Sequence, residues 1–457
     1  MAVRPTILFN DASGSDTAAS GAGPGTALFG TGASLNASTT VTLSADTPDL
    51  SGVATDGSAC LWVDTSSGRQ FSRITAVDNT ADTVTVATTY SVTESGRNWG
   101  IGGKRKTIDN ANSRKLLTAD IQAGWAVTFE DDTSATISSV ITTTLDGNTT
   151  DGYITIQGSA EGRVMNQTAN ASHFNINTVT GYWLFKNLKF TNSNGTRTSA
   201  CFVGFAPVAV WETCIFGDAT NKLYRGIVMT NVARMRFTDC EFTTMTDQAL
   251  RCLNGERIIM EGCYVHDNTG AGIVLAGNIT MSDCIVETNG SYGLWMTSND
   301  IAYLCNIQKC VFHANTSHGI YSDDYYRGSL TIKSNNITAN GGYGISMVAA
   351  QTGNQSGIDY NNFGTGGTAN TSGARQNITA GSNDLAVDPG YSNASGANFE
   401  AGTNIKALGF PKSTRTIGAN QSATNAFIDV GIQREEAGGS SGAFSPFASP
   451  VIRGAVA

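Results

Sequence analysis

Charge and proline are both scarce in this chain. Only 14% of its residues are Asp, Glu, Lys or Arg and only 8 are Pro, against roughly 25% and 5% in an average globular protein. The missing polarity comes from Ser, Thr, Asn and 52 Gly, which gives a wet but weakly charged surface. Lys and Arg number 28 against 37 Asp and Glu, a net charge of −9, and no basic run exceeds Lys104-Arg105-Lys106. That balance argues against a polyanion, so no nucleic-acid partner is expected. No stretch approaches the roughly 18 continuous apolar residues of a membrane span. The N-terminus from Met1 to Asp11 has one Arg and no apolar run, which predicts no secretory signal. The 9 cysteines are odd in number and lack spaced Cys-x-x-Cys pairs, so reduced thiols are expected rather than a disulfide framework.

What the chain has instead is a repeat. Its 457 residues fit two to four ordinary domains or one long repetitive one. Between about Tyr182 and Phe363 one position recurs as Leu188, Cys214, Cys240, Cys263, Cys284, Cys310, Asn335 and Asn361, in steps of 21 to 26 residues. Two residues further on stand Phe190, Phe216, Phe242, Val265, Val286, Phe312, Ile337 and Phe363. An apolar pair at period two, recurring at that interval, predicts one short strand per coil. A second register carries small residues, Ala200, Gly226, Ala249, Gly272, Gly293, Gly319 and Gly344, each followed by an apolar residue such as Ile227, Ile273 or Ile345. A third strand precedes the thiol column, with Phe185, Trp211, Phe237, Met260, Met281, Ile307 and Ile332 inward. Asn268, Asn289, Asn315 and Asn340 stand four residues before the small residue in successive coils. They are expected at left-handed corners, with side chains bonded along the axis. Three short strands per coil describe an all-β fold, a parallel β-helix solenoid. No helical stripe fits between the Gly and Asn punctuation, and a propeller would repeat at roughly 40 residues or more. The thiols are then small buried hydrophobes about 4.8 Å apart.

The flanks do not follow the repeat. Residues 1–105 read as a small β-rich N-terminal capping or attachment domain, with strands at Leu61-Trp62-Val63, Gln70 to Ile74 and Thr83 to Val86 and a hairpin turn at Asp78 to Asp82. Residues 106–434 form the solenoid, its first coils irregular, with strands at Trp125 to Phe129 and Tyr153 to Ile156. A solenoid end exposes apolar core and unpaired backbone, so a cap is required and the N-terminal domain is placed to supply it. Residues 435–457 are a Gly/Ser linker and an apolar tail with Phe444, Phe447, Val451 and Ile452, either frayed or docked on a neighbouring subunit.

The coil pattern resembles the right-handed parallel β-helix proteins of the pectate-lyase-like superfamily. Asp388-Pro389-Gly390-Tyr391, Asn398-Phe399-Glu400 and Asp429-Val430-Gly431-Ile432-Gln433 are similar to a common closing segment of such proteins. The resemblance covers roughly residues 106–434 and is specific for fold, not for activity: the superfamily holds polysaccharide lyases, glycoside hydrolases, phage tailspikes and inert virion or surface proteins. With the Ser/Thr/Gly/Ala-rich surface, the chain looks most like a phage structural protein, by analogy.

Chemistry in such a fold would need a carboxylate pair, or a base with a cation that acidifies a sugar C–H. Of the polygalacturonase-like motifs only Asp323-Asp324 is present, and His318-Gly319 lacks the preceding Gly. Asp323, Asp324 and Arg327 are therefore the catalytic candidates, set against a solvated loop with a local Asp–Arg pair. His266, Glu287 and His313 lie three residues past the thiol column in consecutive coils and point outward by alternation. They are the metal candidates, although the outer two, about 10 Å apart, are too far to share one ion without converging. Stacked complementary charge is the simpler reading, and no cofactor is expected.

The outward ladder of the small-residue strand reads Phe202, Val228, Arg251, Val274, Trp295, Tyr321 and Ser346, and a second apolar stripe holds Ile215, Tyr264, Ile285 and Val311. Two such stripes exceed what a monomer usually exposes. Long loops, identical neighbours in a trimer, or sugars stacking on Trp295 and Tyr321 would each account for them. Phe202, Arg251, Val274, Trp295 and Tyr321 are the glycan-binding or interface candidates. The function expected is a non-enzymatic virion surface protein, a phage decoration, fibre or spike subunit. It is made in the host cytoplasm, is homo-oligomeric with a trimer favoured, is joined to other virion proteins through its termini, and can contact cell-surface polysaccharide. The alternative is a polysaccharide depolymerase or glycan-binding adhesin, at the virion or outside the cell.

Overall fold

The computed structural model of the chain describes residues 6–9, 29–102 and 126–389, apart from short stretches within the last two. The closing segment from Gly390 onward and the 435–457 tail lie outside the described residues. All described residues fall into strands, turns and one 3-10 turn at Gly366–Thr368, and among them no helix is long and apolar enough to cross a membrane.

Residues 29–102 close into a six-stranded antiparallel barrel. Alternation explains it: Leu61 and Val63, Val84 and Val86, and Trp99 and Ile101 point inward from their strands and are buried in one apolar cluster. Gly68–Asp78 and Thr83–Val86 form the expected hairpin, whose turn is tied by the Asp78 carboxylate accepting from the Thr80 and Ala81 amides. Tyr90 buries its ring and donates its hydroxyl to the Leu61 carbonyl at 2.8 Å.

From Ala126 the chain winds into a parallel β-helix. Each coil supplies one strand to each of three ladders. In the first, Val208–Glu212 pairs with Arg234–Thr238, and the latter with residues 257–261. The second is a nine-stranded sheet running from Ala135–Ile137 to Asn336–Thr338. In the third, Leu294–Met296 pairs with Ile320–Ser322, and that with Tyr343–Met347. Thr6–Phe9 also belongs to this stack, pairing in parallel with Ala126–Phe129, the earliest described strand of the first ladder. The strand that covers that edge thus comes from before the barrel, and its amides occupy the open backbone of the first rung.

The interior is graded. At the N-terminal coils Phe185, Trp211 and Phe237 stack at 5.5 and 5.0 Å, and beside them Phe190, Phe216 and Phe242 stack at 5.1 and 4.6 Å. Further along, Met260, Met281, Ile307 and Ile332 follow the first rings, and Val265, Val286, Phe312 and Ile337 the second, while Cys214, Cys240, Cys263, Cys284 and Cys310 form their own fully buried column in the same continuous core. Each thiol donates to a carbonyl of its own turn, as Cys284 does to Ser282 at 3.2 Å. Burial pushes the Cys240 and Cys284 thiols up, which keeps them protonated.

From the Cys214 coil to the Asn361 coil two corners are left-handed, and in the coil before them one is. Asn187, Thr213, Asp239, Gly262, Asp283, Lys309, Ser334 and Tyr360 have φ between 52° and 63°. The second column is Gly217, Thr244, Asp267, Thr288, Ala314, Ala339 and Gly364. This corrects the expected role of the Asn column: the left-handed residue is the one before each Asn, and only the side-chain part of the expectation holds. The amide of Asn268 donates to Asn289 at 2.9 Å, Asn289 to Asn315 at 2.9 Å, Asn315 to Asn340 at 3.0 Å, and Asn340 to Asn370 at 2.8 Å. Each also reaches a backbone carbonyl, as Asn315 does to Val286 at 3.1 Å. A shorter ladder, Asn335 to Asn361 at 2.9 Å, extends the thiol column where Cys gives way to Asn. Buried amides that satisfy one another in this way fix the register between rungs.

Candidate functional site

The outer face of the third ladder carries a cluster of five aromatic side chains. Trp295 and Tyr321 are register partners on adjacent rungs and point outward, because Leu294, Met296, Ile320 and Ser322 take the inward positions. Tyr292, His318 and Tyr343 occupy the position just before the small residue in three consecutive coils, so the corner aims them at the same face. Tyr292 and Tyr321 stack face to face at 4.4 Å and 9°. Trp295 tilts against Tyr292 at 5.4 Å, and His318 lies 5.3 Å from Tyr321 and 5.8 Å from Tyr343. All five rings are half-buried.

The polar groups of the cluster are positioned by backbone. The Asp323 amide donates to the Met296 carbonyl at 3.3 Å, which carries its carboxylate across the rung to accept the Trp295 Nε1 hydrogen at 2.9 Å. The Tyr343 amide donates to His318 Nδ1 at 2.8 Å, so the neutral ring carries its proton on Nε2. Burial lowers the His318 pKa and favours that neutral form. Gly342 makes room for the imidazole, since a Cβ there would lie 2.2 Å from Nδ1. Among the described residues the cations that lie over aromatic rings are Arg225 on Tyr224 and Arg375 on Phe363, neither of them in this cluster.

Of the residues singled out from sequence, Trp295, Tyr321 and Asp323 come together here. Arg251 and Val274 continue the same ladder, Arg251 opposite Val274 and Val274 opposite Trp295, with Val274 only 5% exposed. The Phe202 side chain, Asp324 and Arg327 lie outside the described residues. Tyr292, His318 and Tyr343 were not drawn into the site from sequence. The signal for them was their shared offset, one residue before Gly293, Gly319 and Gly344.

His266, Glu287 and His313 do fall in register on the second ladder, but their partners differ from simple charge stacking. His266 meets Glu241 at 3.1 Å through Nε2 and Asp267 at 2.9 Å through Nδ1. Burial opposes its charge, yet the hydrogen bonds to Asp267 and Glu241 raise its pKa to about 9. Both ring nitrogens are thereby used as donors, which leaves no lone pair for a metal. Glu287 is 5% exposed and accepts the Tyr264 hydroxyl, while burial raises its pKa to about 7. His313 contacts the Thr338 hydroxyl at 3.0 Å, and burial lowers its pKa to about 4. Among the described residues no three His, Cys, Asp or Glu side chains are grouped as metal ligands.

Comparison with known proteins bears on the fold. A family model described as a right handed beta helix region matches residues 172–324 and 219–363. With the parallel rungs described above, the solenoid is a right-handed parallel β-helix. Among solved structures the chain is similar to pectate lyase Pel9A, at 13% identity and a TM-score of 0.41, covering 71% of this chain and 87% of that one. It is also similar to the A-module of the Azotobacter vinelandii mannuronan C-5 epimerase AlgE4, at 11% identity and a TM-score of 0.31, covering 61% of this chain and 96% of that one. The A-module of the A. vinelandii epimerase AlgE6 gives 11% identity, a TM-score of 0.30 and coverages of 61% and 94%. At these scores none of the three bears on what this chain does. No curated protein sequence matches it.

Proposed function

Starting from a right-handed β-helix with a rigid aromatic outer face, we propose that the chain is a non-enzymatic structural protein of a virion surface, a phage decoration, fibre or spike subunit used for adhesion. It assembles as a homo-oligomer, a trimer, and joins other virion proteins through its termini. The observation that carries this reading is the Tyr292–Tyr321 stack with Trp295 beside it. Stacked rings on a stiff scaffold suit contact, and they do not by themselves move protons or form bonds. The polar groups on the outside of the second ladder are committed to one another, Tyr264 to Glu287 and His266 to Glu241 and Asp267. Such pairs hold the surface rather than wait for a substrate.

The test is a pair of measurements on the full chain. Light scattering is expected to give the mass of a multimer, and removal of residues 435–457 is expected to disturb assembly. A monodisperse monomer indifferent to that truncation contradicts the structural reading.

A second reading, polysaccharide depolymerase, is favoured by one feature: the Asp323 carboxylate stands against the aromatic rings. It predicts shortened oligosaccharides from a glycan panel and their loss in Asp323→Ala or Asp324→Ala. The absence of products across a broad panel removes it.

A further inference from the structure

We propose that Tyr292, Trp295, His318, Tyr321 and Tyr343, together with Asp323, form a binding site for a neutral polysaccharide laid along the solenoid axis. The proposal rests on the adhesive reading above and names the ligand class.

Direction follows from placement. The rings belong to three consecutive coils, so the strip they cover is two strand spacings long, about 10 Å, and runs parallel to the axis. That length accepts roughly two pyranose rings of an extended glycan when each coil contributes one contact. The C–H face of a pyranose packs on an aromatic face while its hydroxyls need polar partners at the edge. Tyr292 and Tyr321 spend faces on each other along the axis, so the ring that offers its face is Trp295, tilted 55° and 48° from them. Both kinds of partner are present. Asp323 uses one oxygen on the Trp295 indole and, being a carboxylate, retains acceptor sites for sugar hydroxyls. His318 accepts the Tyr343 amide on Nδ1, which leaves Nε2–H as a donor.

The charge at the site selects among glycans. Among the described residues Asp323 is the carboxylate of the cluster, and no cation lies over its rings or pairs with that acid. A uronate or sialate would bring a second negative charge against Asp323, and among the described residues the nearest cation of the ladder, Arg251, stands two rungs from Trp295. A neutral hexose chain meets no such penalty. The site is also preorganised, because the Tyr292–Tyr321 stack and the Gly342 clearance behind His318 fix the rings before any ligand arrives.

Titration calorimetry on the full chain tests this, with malto-, cello- and manno-oligosaccharides as neutral probes and oligogalacturonate as the acidic one. At least one neutral probe is expected to bind, and oligogalacturonate is expected to bind about tenfold more weakly or not at all. Trp295→Ala should weaken the neutral probe about tenfold or more, with an unchanged thermal melt to show that the fold survives. Asp323→Asn, which keeps the shape and removes the charge, should narrow the gap between the two probe classes. Neutral binding that survives Trp295→Ala overturns the site and leaves adhesion standing. A preference for oligogalacturonate, or no binding of any neutral probe, overturns the ligand class. Release of shortened products instead overturns the non-enzymatic reading and leaves the site intact.

Discussion

The indole nitrogen of Trp295 donates to Asp323 at 2.9 Å across one rung of the solenoid. That bond joins the aromatic face to its acid. Because the Asp323 backbone is held by Met296 of the neighbouring coil, the pair is set by the rung spacing rather than by loop conformation. The same logic, one residue placed by the coil next to it, runs through the molecule and yields its predictions.

Phe242 is fully buried, stacked on Phe216 at 4.6 Å and edge-on to Phe237 at 5.6 Å. Phe242→Ala opens a cavity in a ladder that cannot collapse along its axis, and should cost about 3–5 kcal/mol in denaturant unfolding.

The amide ladder carries a different penalty. Asn315→Ala removes the partner of Asn289 and the donor to Asn340 and Val286. Each buried group left unpaired costs about 1–3 kcal/mol, so the variant should lose about 2–4 kcal/mol in the same measurement. A loss below half a kilocalorie would mean that the ladder is bystander rather than brace.

Thiol chemistry reports on the spine. Eight of the nine cysteines are free and buried. Ellman's reagent should therefore find no more than one reactive thiol in the native chain and all nine after denaturation. Rapid native labelling of two or more contradicts the buried column.

Stability should fall on both sides of neutrality, for separate reasons. His173 is buried with its Nε2 against the Met165 carbonyl, and burial lowers its pKa to about 4. The folded state then binds fewer protons than the unfolded one, so stability is lost as pH falls from about 6.5 towards 4, by up to about 3 kcal/mol. His313 has the same sign and window. On the alkaline side, His266 is raised to about 9, so its contribution is complete below about 6.5 and disappears as pH rises through 9. Glu287, raised to about 7, also favours the protonated folded state, but its contribution is lost as pH rises between about 4.5 and 7, so it offsets part of the acid-side loss from His173 and His313. Chemical unfolding across pH 4 to 10 tests this: Asp267→Asn should weaken the alkaline loss, and His173→Phe should reduce the acid one to the part His313 contributes.

Much of the solenoid could be read in the sequence because a rung is a local object. Cys240, Phe242 and Phe237 each lie within a few residues of one corner, and the steps between coils repeat. The left-handed positions were harder to place, since Thr213, Lys309 and Tyr360 are not turn formers, and Thr213 and Lys309 are tied there to the next rung, their amides donating to the Thr238 and Lys333 carbonyls. The strand Thr6–Phe9 could not be assigned to the solenoid from sequence, because its partner Ala126–Phe129 lies beyond the whole barrel. At the outer face, period two found Trp295 and Tyr321, but Tyr292, His318 and Tyr343 sit at corners, where alternation gives no direction. The Glu241–His266 contact spans a rung, and neither residue's own strand reveals it.

The central claim is contact without turnover, and it is most directly tested by mass spectrometry of a bound neutral glycan recovered after prolonged incubation with excess protein. The account predicts retention on the wild-type chain, poor retention on Trp295→Ala, and recovery at full length from both. Shortened or unsaturated chains from the wild-type sample would contradict it.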